Sequence, residues 1–374
     1  MRKIFYSVVI WSLFFSPMDA SSEERMRVVF INPGFFDVHN PTGGFWLSVS
    51  SFMRAAAEDL NIDLEILYCD RNHIKMKNLA EEVISRKNPP DYLVVVNEKL
   101  SAGPIIINAD QAGVKVFVIL NGFEGEQRQK MGPPRSRYKH WLGTLIPDNH
   151  FAGYQVARLV IDQALNAGIK TPDGRLHLIG FSGDYITQAS IERVDGLKQA
   201  VAEYPNVDLK QVIPCNWSKD EARSKTPKVL KRYPETDAIW CANDPIAIGA
   251  LEGAAAAGRT PGKDIFLGGL NWDPPGLAKV KSGEIVTSVG GHFMTGGWAL
   301  ILLYDYHHGR DFAEDGTLLK YKIFGALHIE NIDQFINTFG DRDWRKIDFT
   351  RFSKILNPDI RKYQFSVESI LENQ

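Results

Sequence analysis

The segment Thr236–Gly258, TDAIWCANDPIAIGALEGAAAAG, carries the pattern that decides the fold. Its apolar run, Ala238–Ala242, is short enough to be a buried strand of a parallel sheet. Asn243 and Asp244 then suit a helix N-cap, and Pro245 suits the first turn of the small-residue helix that follows. In open α/β sheets, polar side chains at the carboxyl end of a strand lie where ligands bind. The segment therefore predicts a strand, a helix and a ligand contact between them, with a plain helix cap as the alternative.

The same alternation of strand and helix runs along the rest of the chain in two similar halves. This alternation predicts parallel sheets with helices on both faces. About 350 residues exceed one comfortable core, so we expect two α/β lobes. The predicted strands are Arg27–Asn32, Leu64–Cys69, Tyr92–Val96 and Lys115–Leu120 in the first half, and Leu176–Phe181, Leu209–Ile213, Ala238–Ala242, Ile265–Leu270 and Ile285–Val289 in the second. The predicted helices include Leu47–Leu60, Met76–Arg86, Ala189–Tyr204 and Lys219–Arg232.

Two segments stand outside this alternation. Gly122–Lys139 is rich in Gly, Gln, Lys, Arg and Pro, which indicates an exposed insertion. The residues after Asp341 are rich in charge, and we expect them to form a helical C-terminal extension.

The N-terminus has the features of an export signal. Arg2 and Lys3 precede the apolar run Ile4–Phe15, and Ala20 offers a small residue before a cleavage site. This pattern predicts a signal peptide over residues 1–20, since the run is too short for a comfortable membrane span. The net charge of −2 becomes about −3 without this segment, which holds two basic residues and one acidic residue. A slightly acidic protein is not suited to non-specific nucleic-acid binding.

The chain lacks a motif for chemistry. Its nine histidines include no pair with zinc-site spacing on one helix face, and there is no phosphate loop, dinucleotide fingerprint or EF-hand. Cys69, Cys215 and Cys241 lie on or just after apolar runs, where a free cysteine packs as a small hydrophobe, although an exported protein could pair two of them. We therefore expect no cofactor, no metal and no catalysis. A secreted hydrolase is the alternative from another class, and it would need a nucleophile or metal set.

Polar and aromatic residues recur where the predicted strands end. They occur at Asn32–Gly34 with Phe45–Trp46, at Asn97–Glu98, at Asn121, at Cys215–Trp217, at Asn243–Asp244 and at Asn271–Asp273. Aromatic faces can stack on the C–H face of a sugar ring, and amides and carboxylates can bond its hydroxyls. Asn, Asp and Gly also fill ordinary turns. The repetition, with Trp in three of the loops, favours a cleft for a polar ligand.

Several motifs in this order resemble the periplasmic sugar-binding proteins of the ribose, galactose and autoinducer-binding type. The resemblance covers roughly residues 26–330. It is carried by Phe45-Trp46, Ile146-Pro147-Asp148-Asn149, IERVDGLKQAV at Ile191–Val201, Asn243-Asp244-x-x-Ala247-x-Gly249-Ala250 and Gly269-Leu270-Asn271. Sugar-responsive repressors share the fold, but the signal segment and the lack of an N-terminal DNA-binding module argue against that use.

The resemblance implies two doubly wound parallel-sheet lobes joined by a three-crossing hinge near Ile146, Val289 and Tyr321. The N-terminal lobe is expected to hold residues 26–145 and 290–320. The C-terminal lobe is expected to hold residues 146–289 and 321–340, with residues 341–374 as the extension.

The resemblance also implies a set of ligand contacts. Phe45 and Trp46 match an aromatic platform, Arg193 matches an arginine that binds ligand oxygens, and Trp217 matches an aromatic wall. The remaining matched contacts are polar: Asn97, Asn121, Asn243, Asn271 and His292. Asn271 stands where many members have aspartate, and Asn121-Gly122 stands where the ribose type has aspartate followed by arginine. These departures argue against ribose itself, because they change which hydroxyls can be paired.

The function implied is that of a monomeric periplasmic solute-binding protein. It would capture a small polar ligand, such as a sugar, by hinge closure and present it to a membrane permease of the ABC transport type. The alternative within the same fold is a ligand-sensing subunit for a sensor kinase or chemoreceptor.

Overall fold

The structure is a computed structural model that describes residues 25–371 except 38, 41 and 169–171. The predicted signal peptide, residues 1–20, lies outside the described residues. Strands are numbered in chain order: β1 Arg27–Asn32, β2 Asp63–Tyr68, β3 Tyr92–Val96, β4 Lys115–Ile119, β5 Trp141–Pro147, β6 Leu176–Ser182, β7 Val207–Pro214, β8 Thr236–Cys241, β9 Phe266–Leu270, β10 Thr287–Gly290, β11 Leu318–Tyr321 and β12 Gly325–His328.

The helices lie between these strands and at the C-terminus. They are α1 Phe45–Asp59, α2 His73–Ile84, α3 Ala102–Ala112, α4 Gly125–Met131, α5 Asn149–Asn166, α6 Gln188–Ala202, α7 Lys219–Arg232, α8 Asp244–Ala256, α9 Pro274–Lys281, α10 Thr295–His307, α11 Ile332–Phe339 and α12 Val367–Leu371. Each strand and helix predicted from the sequence is present, with bounds within three residues of the prediction. Among the described helices, none combines the length and apolar character needed to cross a bilayer.

The strands form two sheets, one in each lobe. The sheet of the N-terminal lobe has the order β11-β5-β4-β3-β1-β2 and is parallel throughout. The sheet of the C-terminal lobe has the order β12-β10-β9-β8-β6-β7 and is parallel except for its edge strand β12. The central strand β3, YLVVV, is buried along its whole length, as a strand covered by helices on both faces must be. The predicted class, two α/β lobes with doubly wound sheets, is confirmed.

The chain passes between the two sheets at three places in the core of the fold. It leaves the N-terminal sheet after β5 and enters α5, which packs against β8, β9 and β10. It returns after β10 into α10, which packs against α1, β4 and β5. It crosses again between β11 and β12. The residue limits of the lobes drawn from the sequence stay a prediction that these passages support.

Gly122–Lys139 is not simply an exposed insertion. It contains α4, and Gly122, Phe123 and Met131 are buried within it. The ring of Phe123 lies edge-on to Trp141, with the centroids 5.0 Å apart. The prediction followed the polar composition of the segment and missed these apolar anchors.

The prediction of a helical extension after Asp341 is wrong. Apart from the short α12, the described part consists of turns, and its aspartates serve as turn caps: Asp343 and Asp348 accept hydrogen bonds from the backbone N–H of Arg345 and Thr350. Aspartate side chains that bond nearby backbone N–H groups offer the backbone an alternative to one continuous helix.

The extension packs on the N-terminal lobe through aromatic side chains. Phe52 of α1 contacts Trp344 and Phe349, with ring centroids 5.6 and 5.0 Å apart. Trp298 of α10 stacks on Phe365 at 4.9 Å. Burying aromatic side chains of this size makes the extension part of the lobe.

Candidate ligand-binding site

A cavity lies between the lobes, at the carboxyl edges of both sheets. The volume open to the centre of a water molecule is about 60 Å³. This is enough for a few waters or for part of a compact polar molecule. The N-terminal lobe contributes Phe45, Trp46, Arg71, Glu98 and Asn121 to its wall. The C-terminal lobe contributes Asn149, Arg193, Trp217, Asn243 and Asn271, and His292 follows the second passage between the sheets. The structure therefore brings eight of the nine predicted site residues together.

Two glycines let the cavity tryptophans pack against the backbone. A Cβ atom on Gly34 would lie 2.2 Å from Trp46, and one on Gly183 would lie 2.3 Å from Trp217, so neither position has room for a side chain. The indole N–H of Trp217 donates to Asp184 at 2.9 Å. Both indoles are thereby held in place as walls of the cavity.

Phe45 and His292 form a second aromatic surface. Phe45 is the first residue of α1, and its ring stacks on the His292 imidazole with the centroids 4.4 Å apart. His292 is buried, and burial together with the nearby Arg193 charge lowers its pKa well below the ordinary value. The imidazole is therefore neutral at physiological pH.

Arg193 is a buried cation with neutral partners. From α6 its Nε donates to Asn149 Oδ1 at 3.0 Å and its Nη1 donates to the carbonyl of Ala242 at 2.8 Å. Its Nη2 lies 3.2 Å from His292 Nε2, which accepts in the neutral imidazole and so places the ring proton on Nδ1. Burial lowers the Arg193 pKa to about 9, so the side chain stays charged at neutral pH. No carboxylate of the described residues lies within ion-pair distance of Arg193, although the charges of Glu192 and Asp244 partly offset the effect of burial on its pKa.

The cavity amides each serve the fold with one atom. Asn243 Oδ1 accepts from the Ile246 N–H as the N-cap of α8, so the helix-cap interpretation of this residue is correct. Asn121 Oδ1 accepts from the Ala189 N–H of the other lobe at 3.1 Å. Asn271 Nδ2 donates to Asp273 at 3.2 Å. The opposite amide atom of each side chain forms no hydrogen bond with the other described residues.

Asn97 does not line the cavity. Its Nδ2 donates to the carbonyl of Gly122 and to Gln127 Oε1, at 2.6 and 2.8 Å, and its Oδ1 accepts from the Ala102 N–H. These bonds hold the turn between β3 and α3. The predicted ligand contact is therefore replaced by a role in the fold, because two backbone groups and the Gln127 side chain bond both polar atoms of the Asn97 amide.

Arg71 and Glu98 are cavity residues that the sequence-based site omitted. Glu98 comes two residues after the end of β3, and its Oε1 lies 2.9 Å from Nη2 of Arg71. Arg71 adopts a positive φ of 58° and lies over the Trp46 ring, 5.9 Å from its centroid. The position of Glu98 at a strand end was the available signal, whereas the pairing with Arg71 depends on the tertiary fold.

A buried acid pair supports the cavity from the C-terminal lobe. Asp244 accepts from Ser288 Oγ and from the Asp273 N–H, at 2.8 and 2.9 Å. Burial, followed by the charge of Asp273, raises the pKa of Asp244 to about 8. Arg342 of the C-terminal extension donates to the carbonyl of Trp272 beside this pair and also to Ser48 Oγ of α1. It thus connects the two lobes.

The described residues offer little for metal or thiol chemistry. They contain no group of three His, Cys, Asp or Glu side chains arranged to hold a metal ion. The three cysteines are buried and unpaired, as expected. Burial raises the pKa of the Cys69 and Cys215 thiols to about 12, so neither is a nucleophile at neutral pH.

Comparison with known proteins gives one consistent family. The profile of the periplasmic binding protein domain matches residues 35–311. The crystal structure of a periplasmic sugar-binding protein from Pseudomonas fluorescens is 34% identical, covers 92% of this chain and 99% of its own, and superposes with a TM-score of 0.81.

Two curated relatives are more distant. A xylitol-binding protein of Mycolicibacterium smegmatis is 24% identical over 64% of this chain and 63% of its own length, just under two thirds. The ribose import binding protein of Salmonella typhimurium is 23% identical over 67% of this chain and 75% of its own length. The resemblance drawn from the sequence is confirmed: the chain belongs to the type I periplasmic sugar-binding protein family.

Proposed function

We propose that the protein is a periplasmic solute-binding protein that captures a small, polar, sugar-like ligand between its lobes and presents it to the permease of an ABC importer. The observation that carries the proposal is the composition of the interlobe cavity. It combines the faces of Phe45, Trp46 and Trp217 with a buried guanidinium and the amides of both lobes. Such a wall matches a ring with an apolar C–H face and a polar hydroxyl rim.

The proposed contacts divide the ligand between the lobes. Phe45 and Trp46 stack on it from one lobe and Trp217 from the other, while Arg193 and the amides of Asn121, Asn243 and Asn271 bond its oxygens. His292 positions Arg193 by accepting a hydrogen bond at its Nε2 atom. Its Nδ1–H has no partner in the described residues, and we assign it as a donor to a ligand oxygen. A ligand held by both lobes stabilises the closed form, because only that form makes both sets of contacts.

The test is to identify what the purified protein carries. Native mass spectrometry of protein expressed in its own host, followed by release of the bound molecule, is expected to give a sugar or polyol. Calorimetry with D-ribose, D-allose, xylitol and myo-inositol then measures affinity. A protein that carries nothing and binds none of the four would contradict the proposal, as would turnover of glycosides or esters.

The partner and the compartment are tested in cells. Crosslinking in membranes with ligand present is expected to recover a permease, whereas recovery of a sensor kinase or chemoreceptor would favour signalling. Fractionation is expected to place the mature chain in the periplasm, with its N-terminus at Ser21. A cytoplasmic chain that retains residues 1–20 would overturn the assignment.

A further inference from the structure

The carboxylate of Glu98 is fully buried in the cavity wall and incompletely paired. Its Oε1 lies 2.9 Å from Arg71 Nη2, so the two side chains form an ion pair. Neither carboxylate oxygen, however, has a well-aligned hydrogen-bond donor. Buried carboxylate oxygens ordinarily accept hydrogen bonds, because burial removes the water that would otherwise solvate them. The ligand cavity is therefore the natural source of the missing donors.

The backbone holds Glu98 in this position at a conformational cost. Lys99 and Leu100, which follow it, have φ values of 44° and 64°, in the left-handed region that residues with side chains seldom adopt. The turn is kept in place by Asn97, whose Oδ1 accepts from the Ala102 N–H. Strain of this kind persists where the surrounding structure enforces it, commonly at binding sites.

The opposite lobe brings a second negative charge toward Glu98. Burial raises the Glu98 pKa, the Arg71 charge lowers it, and Asp184 of the C-terminal lobe raises it again. Asp184 is fixed in its ionised form, because its oxygens accept from the Thr187 N–H and from the Trp217 indole N–H, at 2.7 and 2.9 Å. An empty closed cavity would therefore leave Glu98 without donors and near a like charge.

We propose that Glu98 is a specificity-determining residue that accepts hydrogen bonds from adjacent hydroxyl groups of a neutral polyhydroxylated ligand. The proposal rests on the sugar-binding function proposed above. A carboxylate has two oxygens with the spacing to accept from two neighbouring hydroxyls, whereas an amide has only one acceptor. Glu98 thus favours ligands that have two hydroxyl donors at this end over ligands that have one or none.

The charges of the cavity favour hydroxyls over the other donors and acceptors. A cationic ligand would face the guanidinium groups of Arg71 and Arg193, both in the wall. A ligand with a carboxylate at this end would oppose Glu98 itself. Hydroxyl groups donate to Glu98 and accept from Arg193 without adding a charge, so a neutral polyol or sugar satisfies both sides.

The test compares Glu98→Gln with a matched control, Glu65→Gln. Glu65 of β2 also pairs with an arginine of its own lobe, its Oε1 accepting from Arg86 Nη2 at 3.0 Å, but it lies outside the cavity. The probes are D-ribose, D-allose, xylitol and myo-inositol, measured by calorimetry, together with the thermal midpoint of each ligand-free variant.

We expect Glu98→Gln to weaken binding of the sugar or polyol that the wild type binds by about tenfold or more, the size expected from losing a hydrogen bond to a charged group. The ligand-free midpoint should change little, because the loss of a poorly solvated charge is offset by the loss of its pairing with Arg71. Glu65→Gln should leave affinity unchanged. For the bound sugar, the wild type should discriminate against its deoxy analogue more strongly than Glu98→Gln does.

Two results would overturn the role of Glu98 while leaving the proposed function intact. One is wild-type affinity in Glu98→Gln with a lowered ligand-free midpoint, which identifies Glu98 as a structural partner of Arg71. The other is a co-purified sugar acid, which is still a sugar-like ligand but brings a carboxylate instead of hydroxyl donors. If the wild type carries no ligand and binds none of the four probes, the proposed function fails first and the role of Glu98 fails with it.

Discussion

Replacing Arg342 by alanine tests whether the C-terminal extension takes part in lobe closure. The extension leaves α11, which packs on α9 of the C-terminal lobe, and then packs on α1 of the N-terminal lobe through Trp344. Between these contacts, Arg342 donates to Trp272 in one lobe and to Ser48 in the other. Burial raises the pKa of Asp273, and the positive charge of the Arg342 guanidinium partly offsets that rise. The extension therefore bonds both lobes.

The expected effect of Arg342→Ala follows from the bonds that opening would break. A hydrogen bond from a charged donor contributes about 1.5–3 kcal/mol. Because one arginine holds both lobes, opening needs to break only one of its two bonds. Arg342 is partly exposed, so we take the lower half of the range. About 2 kcal/mol lost from the closed form shifts the balance between open and closed forms roughly 30-fold.

Calorimetry and small-angle scattering measure this shift. The affinity for the sugar or polyol that the wild type binds should fall by up to about 30-fold, since apparent affinity follows the population of the closed form. The radius of gyration with subsaturating ligand should increase. Arg345→Ala is the matched control, because Arg345 lies in the same segment and pairs only with exposed Asp343 within the described residues. Wild-type affinity and radius of gyration in Arg342→Ala would refute the reasoning and leave the extension as a cover for the N-terminal lobe.

Three further changes have defined outcomes. Arg193→Ala should weaken ligand binding by about 10- to 150-fold, the value of a lost charge-assisted hydrogen bond, and calorimetry within twofold of wild type would contradict its role. Trp46→Ala should weaken a ring-shaped ligand more than an acyclic polyol, because stacking is lost, and equal losses for myo-inositol and xylitol would count against the aromatic platform. Asp244→Asn should flatten the pH dependence of stability. The folded protein binds the Asp244 proton up to about pH 8 and the unfolded chain only to about pH 4, so the wild-type free energy of unfolding falls as pH rises between these values. In thermal unfolding from pH 5 to 9, the melting temperature of the variant should rise relative to that of the wild type as the pH approaches 9. Melting temperatures that change in parallel with pH would show that Asp244 does not titrate in this range.

The fold was predictable because its signals are local. A buried parallel strand appears as a short apolar run, and a helix start appears as a capping residue followed by proline, as at Asn243–Pro245. In the structure, Asn243 Oδ1 accepts a hydrogen bond from the backbone N–H of Ile246, three residues along the chain. Two predictions failed where composition misled. The charged residues after Asp341 conceal irregularly spaced aromatic anchors such as Trp344 and Phe365, which have no helical or strand period.

The candidate site was predictable only in outline. Strand ends identified most of the residues around the cavity, because parallel strands bring their carboxyl ends to one edge. They did not separate Asn97, whose amide is bonded within the fold, from its neighbour Glu98, which is part of the cavity wall. That choice depends on the left-handed turn at Lys99 and Leu100.

By itself the sequence determined the order of strands and helices, the two lobes and the family, since these depend on apolar periodicity and short motifs. The tertiary structure alone decided which polar groups remain for a ligand. The pairing of Arg71 with Glu98, the neutral partners of Arg193 and the link from Arg342 to both lobes join residues far apart in the chain. Hydrogen bonds and charges act through space at a few ångströms, and no local pattern records which distant residues the fold brings within that range.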